Sequence, residues 1–169
     1  MPNPILKKVE LKPKNSLIPN EYIDNIFSNY YGTTLNLNEF QNKINIIKNR
    51  YEEEGYSLVR ISGPDRISEN GVITLKVSEG IISDVKIRFL DSDGESVIDG
   101  KPRKGKTKDW VIKRELKTQP GSIFNRKILE ADIRRLYATS LFVNLLLLSL
   151  IHISEPTRQW SISYAVLCL

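Results

Sequence analysis

The pattern of apolar and polar residues is clearest in residues 51–80, which predict a helix end, two strands and a tight turn. Three glutamates close a helical pattern, and Gly55 follows at the position where a left-handed cap favours a residue without Cβ. Residues 56–61 are rich in β-branched and aromatic side chains, and residues 72–77 alternate apolar with polar. Asn70-Gly71 lies between them and favours a reversal of the chain. We therefore expect helix, strand, hairpin loop and strand.

The residues before this segment predict one strand and two helices. Residues 5–11 alternate weakly as a short strand, and a helical pattern runs from Pro19 to Gly32. A second helix has a clear start, because Asn36 is a favoured N-cap and Glu39 is placed to reach back to its N–H. Packing should stabilise this helix more than propensity does, since each buried apolar side chain contributes about 1.5–3 kcal/mol. Its apolar stripe comprises Phe40, Ile44, Ile47 and Tyr51.

A second cycle of the same elements follows residue 80. Residues 85–89 alternate as a strand, a polar loop follows, and residues 109–116 predict a short helix with Thr107 as its cap. The cap and stripe of the first unit then recur at a constant offset. The matching pairs are Gly32 and Gly121, Leu35 and Phe124, Asn36 and Asn125, Phe40 and Leu129, Ile44 and Ile133, and Ile47 and Leu136. The sequence thus predicts an α+β fold built from tandem β-α-α-β-β units.

The C-terminal residues 148–169 have an unusual sequence. Residues 148–158, LSLIHISEPTR, resemble the in-frame translation of a transposase-based sequencing adapter, and residues 162–169, ISYAVLCL, resemble the primer that follows it. The second block departs once, at Leu167, where the primer encodes Phe. We expect these residues to be read-through; the alternative is a genuine apolar C-terminal strand. The predicted domains are then residues 1–80 and 81–147, with the second β-α-α-β-β unit truncated.

Composition and motifs narrow the classes of function. The 169 residues are 40% apolar and 27% charged, as in ordinary globular proteins. The only histidine, His152, and the only cysteine, Cys168, both lie in the C-terminal tail, and residues 1–147 contain no phosphate-binding glycine loop or catalytic set. We therefore expect no enzyme activity, no metal and no cofactor. We expect no signal peptide in this chain. No stretch reaches the roughly 18 apolar residues of a membrane span.

The chain has a net charge of +5, and basic residues are concentrated in one loop. A weak contact with an anionic membrane surface is one interpretation, since each Lys or Arg near such a surface contributes about 1 kcal/mol. A solvated loop is the other, and nucleic-acid binding is not expected because no aromatic residues interleave the run. Trp110, which follows it, is expected in the core or at a contact between domains. The basic residues are Lys101, Arg103, Lys104, Lys106 and Lys108.

The ordered set of motifs resembles the polypeptide-transport-associated (POTRA) domains of outer-membrane protein assembly factors, in their cyanobacterial and plastid branch. Residues 35–56, residues 72–80 and residues 100–142 carry the resemblance. Ser140 departs from it, because such sequences commonly place Gly before the Leu-Phe pair.

The resemblance implies a full-length outer-membrane protein whose POTRA domains lie on the periplasmic side. Its expected partners are unfolded outer-membrane proteins, neighbouring POTRA domains and a C-terminal β-barrel beyond this chain. The alternatives are a two-partner secretion transporter or a cell-division scaffold. In the family a client adds a strand to an exposed sheet edge, although Arg60 and a neighbouring domain could equally protect that edge. The candidate edge strand comprises Tyr56, Ser57, Leu58, Val59, Arg60 and Ile61.

Overall fold

The computed structural model describes residues 5–13, 16–63, 68, 70–91, 93–139, 144–148 and 159–167. The chain divides into two compact units, Met1–Glu79 and Gly80–Leu169. Both helices and strands are present in each unit, as the α+β prediction requires. Ser140, His152 and Cys168, which the sequence analysis singled out, lie outside the described residues.

The first unit is a three-stranded sheet with two helices. The central strand is β3, which pairs with β1 in parallel and with β2 in antiparallel orientation. Alternate residues of β3 are buried, and they share one core with the apolar stripe of α2. Its elements are β1 (Lys8–Lys12), α1 (Asn20–Phe27), a short 3-10 helix (Ser28–Tyr30), α2 (Leu37–Glu53), β2 (Arg60–Ser62) and β3 (Val72–Ser78).

Helix α2 begins at the predicted cap. The Asn36 side chain accepts a hydrogen bond from the Asn38 N–H at 3.1 Å, which satisfies one of the unpaired donors of the first turn. The predicted bond from Glu39 to the Asn36 N–H is wrong, because that N–H donates to the Oη of Tyr30 instead. The predicted stripe is confirmed by the burial of Phe40, Ile44, Ile47 and Tyr51.

The predicted end of α2 at Gly55 is also confirmed. Gly55 has a φ of 98°, and its N–H donates to the Glu52 carbonyl at 3.0 Å. The Tyr56 N–H donates to the Tyr51 carbonyl at 2.9 Å, which completes a Schellman motif. This motif reverses the direction of the chain after α2 and before the next strand.

The hairpin between β2 and β3 closes at Gly71, as predicted. Gly71 has a φ of 75°, and its N–H donates to the Ser68 carbonyl at 2.8 Å. A Cβ at this position would lie 2.2 Å from the Ile5 carbonyl oxygen, so the close approach of the N-terminal segment also requires glycine.

The second unit has the same sheet topology as the first. Its central strand is β8, which is parallel to β4 and antiparallel to β7. A separate two-stranded hairpin, β5 and β6, lies in the loop after β4. Its elements are β4 (Ile81–Leu90), β5 (Val97–Ile98), β6 (Lys101–Pro102), α3 (Asp109–Lys113), α4 (Arg126–Ala138), β7 (Asn144–Leu148) and β8 (Gln159–Leu167).

The structure completes the second unit in part with residues of the predicted adapter tail, so the truncation of the native unit stays a prediction. Strands β7 and β8 supply the hairpin that the sequence analysis had removed. The physical reason is that residues 159–167 are rich in β-branched and aromatic residues, and a sheet binds such a segment through backbone bonds. Backbone pairing does not depend on where the residues came from, so the adapter origin of residues 148–169 stays a prediction.

The repeat predicted between the two units is visible in their hydrogen bonds. The Gly32 N–H donates to the Leu6 carbonyl at 2.7 Å, and the Gly121 N–H donates to the Ile82 carbonyl at 2.7 Å. Both glycines have a positive φ, 82° and 84°. The Asn125 side chain caps α4 by accepting from two backbone N–H groups, as Asn36 does from one in α2.

Two expectations for the second unit were wrong. Lys108, not Thr107, is the N-cap residue of α3, and its side chain makes no capping bond. Trp110 is 59% exposed and lies outside the core cluster, because α3 is a single short turn whose buried residue is Ile112. The core position expected for Trp110 is thus wrong, and the alternative of a contact between domains stays a prediction. The Arg114 guanidinium lies 5.5 Å from the centroid of the Trp110 ring and partly covers it.

Candidate functional site

The candidate edge strand is shorter than predicted. Arg60 and Ile61 belong to β2, together with Ser62. The other four residues, Tyr56, Ser57, Leu58 and Val59, lie in the turn between α2 and β2, so the strand predicted for them is wrong.

The turn forms because its apolar residues pack inward. The Val59 N–H donates to the Tyr56 carbonyl at 3.4 Å, and the Val59 side chain is buried in the core of the unit. The Tyr56 ring meets the Tyr51 ring edge-on, with centroids 6.4 Å apart. Aromatic and β-branched residues thus pack within the turn that follows α2, although the same residue types also favour strands.

Strand β2 is an edge strand of its sheet. It pairs with β3 through Arg60 and Ser78, Ile61 and Val77, and Ser62 and Lys76. Among the described residues, no strand pairs with its other side. Arg60 is exposed and Ile61 is half-buried, so the outer side of β2 combines accessible backbone with partly accessible apolar surface. An extended peptide could pair along these three residues.

The opposite edge of the sheet, along β1, is partly covered by Tyr31. The Tyr31 hydroxyl donates to a carboxylate oxygen of Asp24 at 2.9 Å, and the backbone of Val9 in β1 lies close enough to lower the Tyr31 pKa. Burial and the bond to Asp24 raise the pKa of Tyr31 to about 12. The Tyr31 phenol thus lies beside β1, and the β2 side is the edge for which the structure shows no such neighbouring side chain among the described residues.

The basic run of the second unit is held by one ion pair. Arg103 Nη2 lies 2.7 Å from the Asp91 carboxylate. The Asp91 carboxylate also accepts from the Glu95 N–H at 2.8 Å and the Asp93 N–H at 3.0 Å. These backbone bonds, and then the positive charge of Arg103, lower the pKa of the Asp91 carboxyl below its usual value. Arg103 thus anchors the loop.

Three lysines of the run, Lys101, Lys104 and Lys108, line a groove. Its floor is apolar and consists of Ile87 and Phe89 from β4, and its walls are residues 101–105 and 107–109. The groove has a volume of about 630 Å³, within the range of small-ligand and peptide sites. Gly105 lies directly on the Phe89 ring, because a Cβ at that position would be 2.2 Å from two ring atoms. The groove was not predicted from the sequence, since it depends on the fold of the loop.

The described part of the chain lacks two further kinds of feature. It contains no cluster of histidine, cysteine or acidic side chains that could hold a metal ion. None of the helices in these residues is long and apolar enough to cross a membrane.

Two protein families match the chain in sequence. Residues 5–80 match "POTRA domain, ShlB-type", and residues 94–143 match "Surface antigen variable number repeat", a second POTRA family. These two matches fall on the first and second unit respectively.

Proteins of known structure and curated relatives agree with these matches. POTRA1-3 of the periplasmic domain of Omp85 from Anabaena is 34% identical with a TM-score of 0.87, over 99% of this chain and 67% of that chain. Outer envelope protein 80, chloroplastic, from Oryza sativa subsp. japonica is 28% identical over 118 residues, 70% of this chain and 17% of the relative. CdiB from Acinetobacter baumannii is 16% identical with a TM-score of 0.69, over 100% of this chain and 30% of that chain.

These likenesses differ in what they show. At 16% identity CdiB shares the fold alone. The chain spans less than a fifth of the length of its curated chloroplast relatives. The Omp85 structure, by contrast, is both similar in sequence and covered over two thirds of its length. The chain therefore belongs to the POTRA domains of the Omp85 family, in the branch of cyanobacterial and chloroplast outer-membrane proteins.

Proposed function

We propose that the first unit binds extended segments of unfolded outer-membrane proteins by adding them as a fourth strand beside β2. The observation that carries the proposal is the difference between the two sheet edges. Tyr31 lies beside β1 and partly covers it, whereas the described residues leave the outer side of β2 without a partner. The unit acts as a binding module and not as an enzyme.

The short length of β2 makes this binding weak. Three residues offer only one or two outward backbone bonds, each contributing about 0.5–1.5 kcal/mol net. Ordering the peptide opposes them at about 1–2 kcal/mol for each fixed residue. These terms nearly cancel, so the dissociation constant should be no tighter than the order of 1 mM, or about −4 kcal/mol. Weak pairing of this kind suits a module that must release its client.

The full-length protein is proposed to lie in the outer membrane, with this region on its periplasmic side. Its partners are neighbouring POTRA domains and a C-terminal β-barrel, in addition to the client. The printed description of the Anabaena relative as a periplasmic domain of Omp85 supports this location. A two-partner secretion transporter is the second candidate because CdiB has the same fold. Sequencing the gene beyond codon 147 separates the two candidates by the protein that it encodes downstream.

An NMR titration of the ¹⁵N-labelled chain tests strand addition. The probe is a short peptide of alternating valine and threonine, and its matched controls carry N-methyl groups on alternate amides. We expect shifts confined to Arg60–Ser62 and the paired residues of β3, and one of the two N-methyl registers should abolish them. Equal binding of both registers, or shifts only around Lys104, would contradict the proposal. An unchanged spectrum would make the unit a spacer.

A further inference from the structure

We propose that the groove of the second unit is a docking site for an acidic, extended peptide segment that carries one large apolar side chain. The proposal is independent of strand addition at β2, because it concerns different residues in the other unit. It rests on the combination of an apolar floor, a cationic rim and a hydrogen-bond donor without a partner.

The floor can hold an apolar side chain. Phe89 is 6% exposed, and Ile87 is half-buried beside it at the edge of the core. Burying an additional apolar side chain on this surface gains free energy roughly in proportion to the area removed from water. Because Gly105 already lies against the Phe89 ring, the loop is shaped around the floor and cannot collapse further onto it.

The rim is positively charged. Lys101, Lys104 and Lys108 line the groove, and none of them is within ion-pair distance of a carboxylate among the described residues. Asp109 also lines the groove and is the one opposing charge in the lining. The Arg103 charge is already used by Asp91, but its Nε is buried and has no hydrogen-bond partner in the described chain. Because Arg103 lines the groove, a shift of its side chain would let a carboxylate or carbonyl oxygen of a ligand satisfy that donor.

The concave shape favours a peptide over a membrane. A planar bilayer surface meets protruding side chains, whereas the apolar residues here lie at the bottom of a groove. The adjacent β5–β6 hairpin has two strands of two residues each, so an extended segment can lie beside it. Acidic residues on either side of an apolar one would match the arrangement of lysines around the floor.

Fluorescence anisotropy with the full chain tests the site. The probe is a fluorescein-labelled peptide with a central phenylalanine flanked on each side by two glutamates. We expect measurable binding that weakens when the salt concentration is raised, since the Debye length falls from about 10 Å at 0.1 M to about 3 Å at 1 M. Replacing the phenylalanine of the peptide with serine should remove most of the binding. Binding that ignores this replacement would overturn the proposal.

Two lysines of the same loop provide a matched pair of variants. Lys104 lines the groove and Lys106 does not, yet both are exposed and both substitutions change the net charge equally. Lys104→Glu should weaken binding about tenfold, or ~1.4 kcal/mol, while Lys106→Glu should weaken it by less than about twofold. Circular dichroism confirms that both variants remain folded. Equal weakening by both would show non-specific attraction to the basic loop and overturn the proposal.

Vesicles separate a peptide site from a membrane site. The labelled peptide should bind the chain in the absence of lipid. Vesicles of phosphatidylglycerol and phosphatidylcholine, added and then removed by sedimentation, should not displace it. If the vesicles bind the chain tightly and displace the peptide, the groove face belongs to a membrane contact and the proposal fails.

Discussion

Replacing Asp132 with alanine should destabilise the second unit more than any other change to a charged side chain of α4. Asp132 is fully buried and accepts hydrogen bonds from the Lys117 N–H at 3.0 Å and the Thr118 N–H at 2.8 Å. Arg135 pairs with the same carboxylate and also donates to the Glu115 carbonyl at 3.0 Å. One side chain thus holds the segment between α3 and α4 against α4.

The size of the effect follows from the hydrogen-bonding groups that the substitution leaves without a partner. Thr118 is buried, so its N–H would lose its partner without gaining water, at about 1–3 kcal/mol. The bond from Lys117 to a charged acceptor contributes a similar amount, whereas Arg135 is 34% exposed and can be rehydrated. The expected total is about 3–5 kcal/mol, as for other buried ion pairs that lose one partner.

Urea denaturation and amide hydrogen exchange measure this loss. Exchange at Thr118 should accelerate in Asp132→Ala, and Asp132→Asn should give an intermediate loss because it keeps one acceptor oxygen. The matched control is Glu130→Ala on the same helix, which removes an exposed ion pair with Arg126 and should cost about 0.3–0.5 kcal/mol. If Asp132→Ala and Glu130→Ala lowered the free energy of unfolding by the same small amount, the reasoning would be refuted.

Three further predictions concern other parts of the chain. Gly55→Val should lower the free energy of unfolding of the first unit by more than about 1 kcal/mol, because a β-branched residue resists the φ of 98°, and an unchanged urea midpoint would contradict the cap assignment. Burial, assisted by the charge of Glu79, raises the pKa of Tyr51 to about 12, so the unfolded chain ionises first as the pH rises from about 10, and Tyr51 should contribute a loss of stability of about 3 kcal/mol up to pH 12. Tyr51→Phe should remove this contribution and leave that of Tyr31, and identical pH profiles would exclude Tyr51 as a cause. A chain that ends at residue 147 should lose slow amide exchange along β4 because its partner β8 is gone, while β3 keeps its protection; retained protection in β4 would show that β8 does not complete the sheet.

The predictions from sequence were accurate where a few neighbouring residues determine the structure. Asn36 and Asn125 are found as caps, and Gly55 ends its helix, because each signal is complete within about five residues. The order of the elements in the first unit also followed from its periodic segments.

The errors have a common physical cause, which is that residue type alone does not tell what a side chain packs against. Tyr56 and Val59 have the composition of a strand but are used to fill the turn after α2. Thr107 is a good cap residue, yet α3 begins one residue later. The groove was not predictable, since Ile87, Phe89 and the lysines are brought together only by the folded loop.

Asp132 could have been found from spacing. It lies three residues after Leu129 and four before Leu136, both of which are buried, so it occupies the apolar stripe of its helix. A charged residue at such a position is almost never buried without a partner. The same reasoning applies to Lys43, which lies between Phe40 and Ile47 on the stripe of α2.

Lys43 and Asp132 occupy equivalent positions in the two repeats, and their opposite charges limit how the repeats can evolve. Lys43 Nζ donates to the Ile26 carbonyl at 2.6 Å, near the end of α1, whereas Asp132 accepts from the amides that follow α3. A recombination event that exchanged the two long helices would set each charge against groups of the same polarity in its new surroundings. Such hybrids would be selected against, so the repeats should be inherited and duplicated as whole units despite their shared architecture.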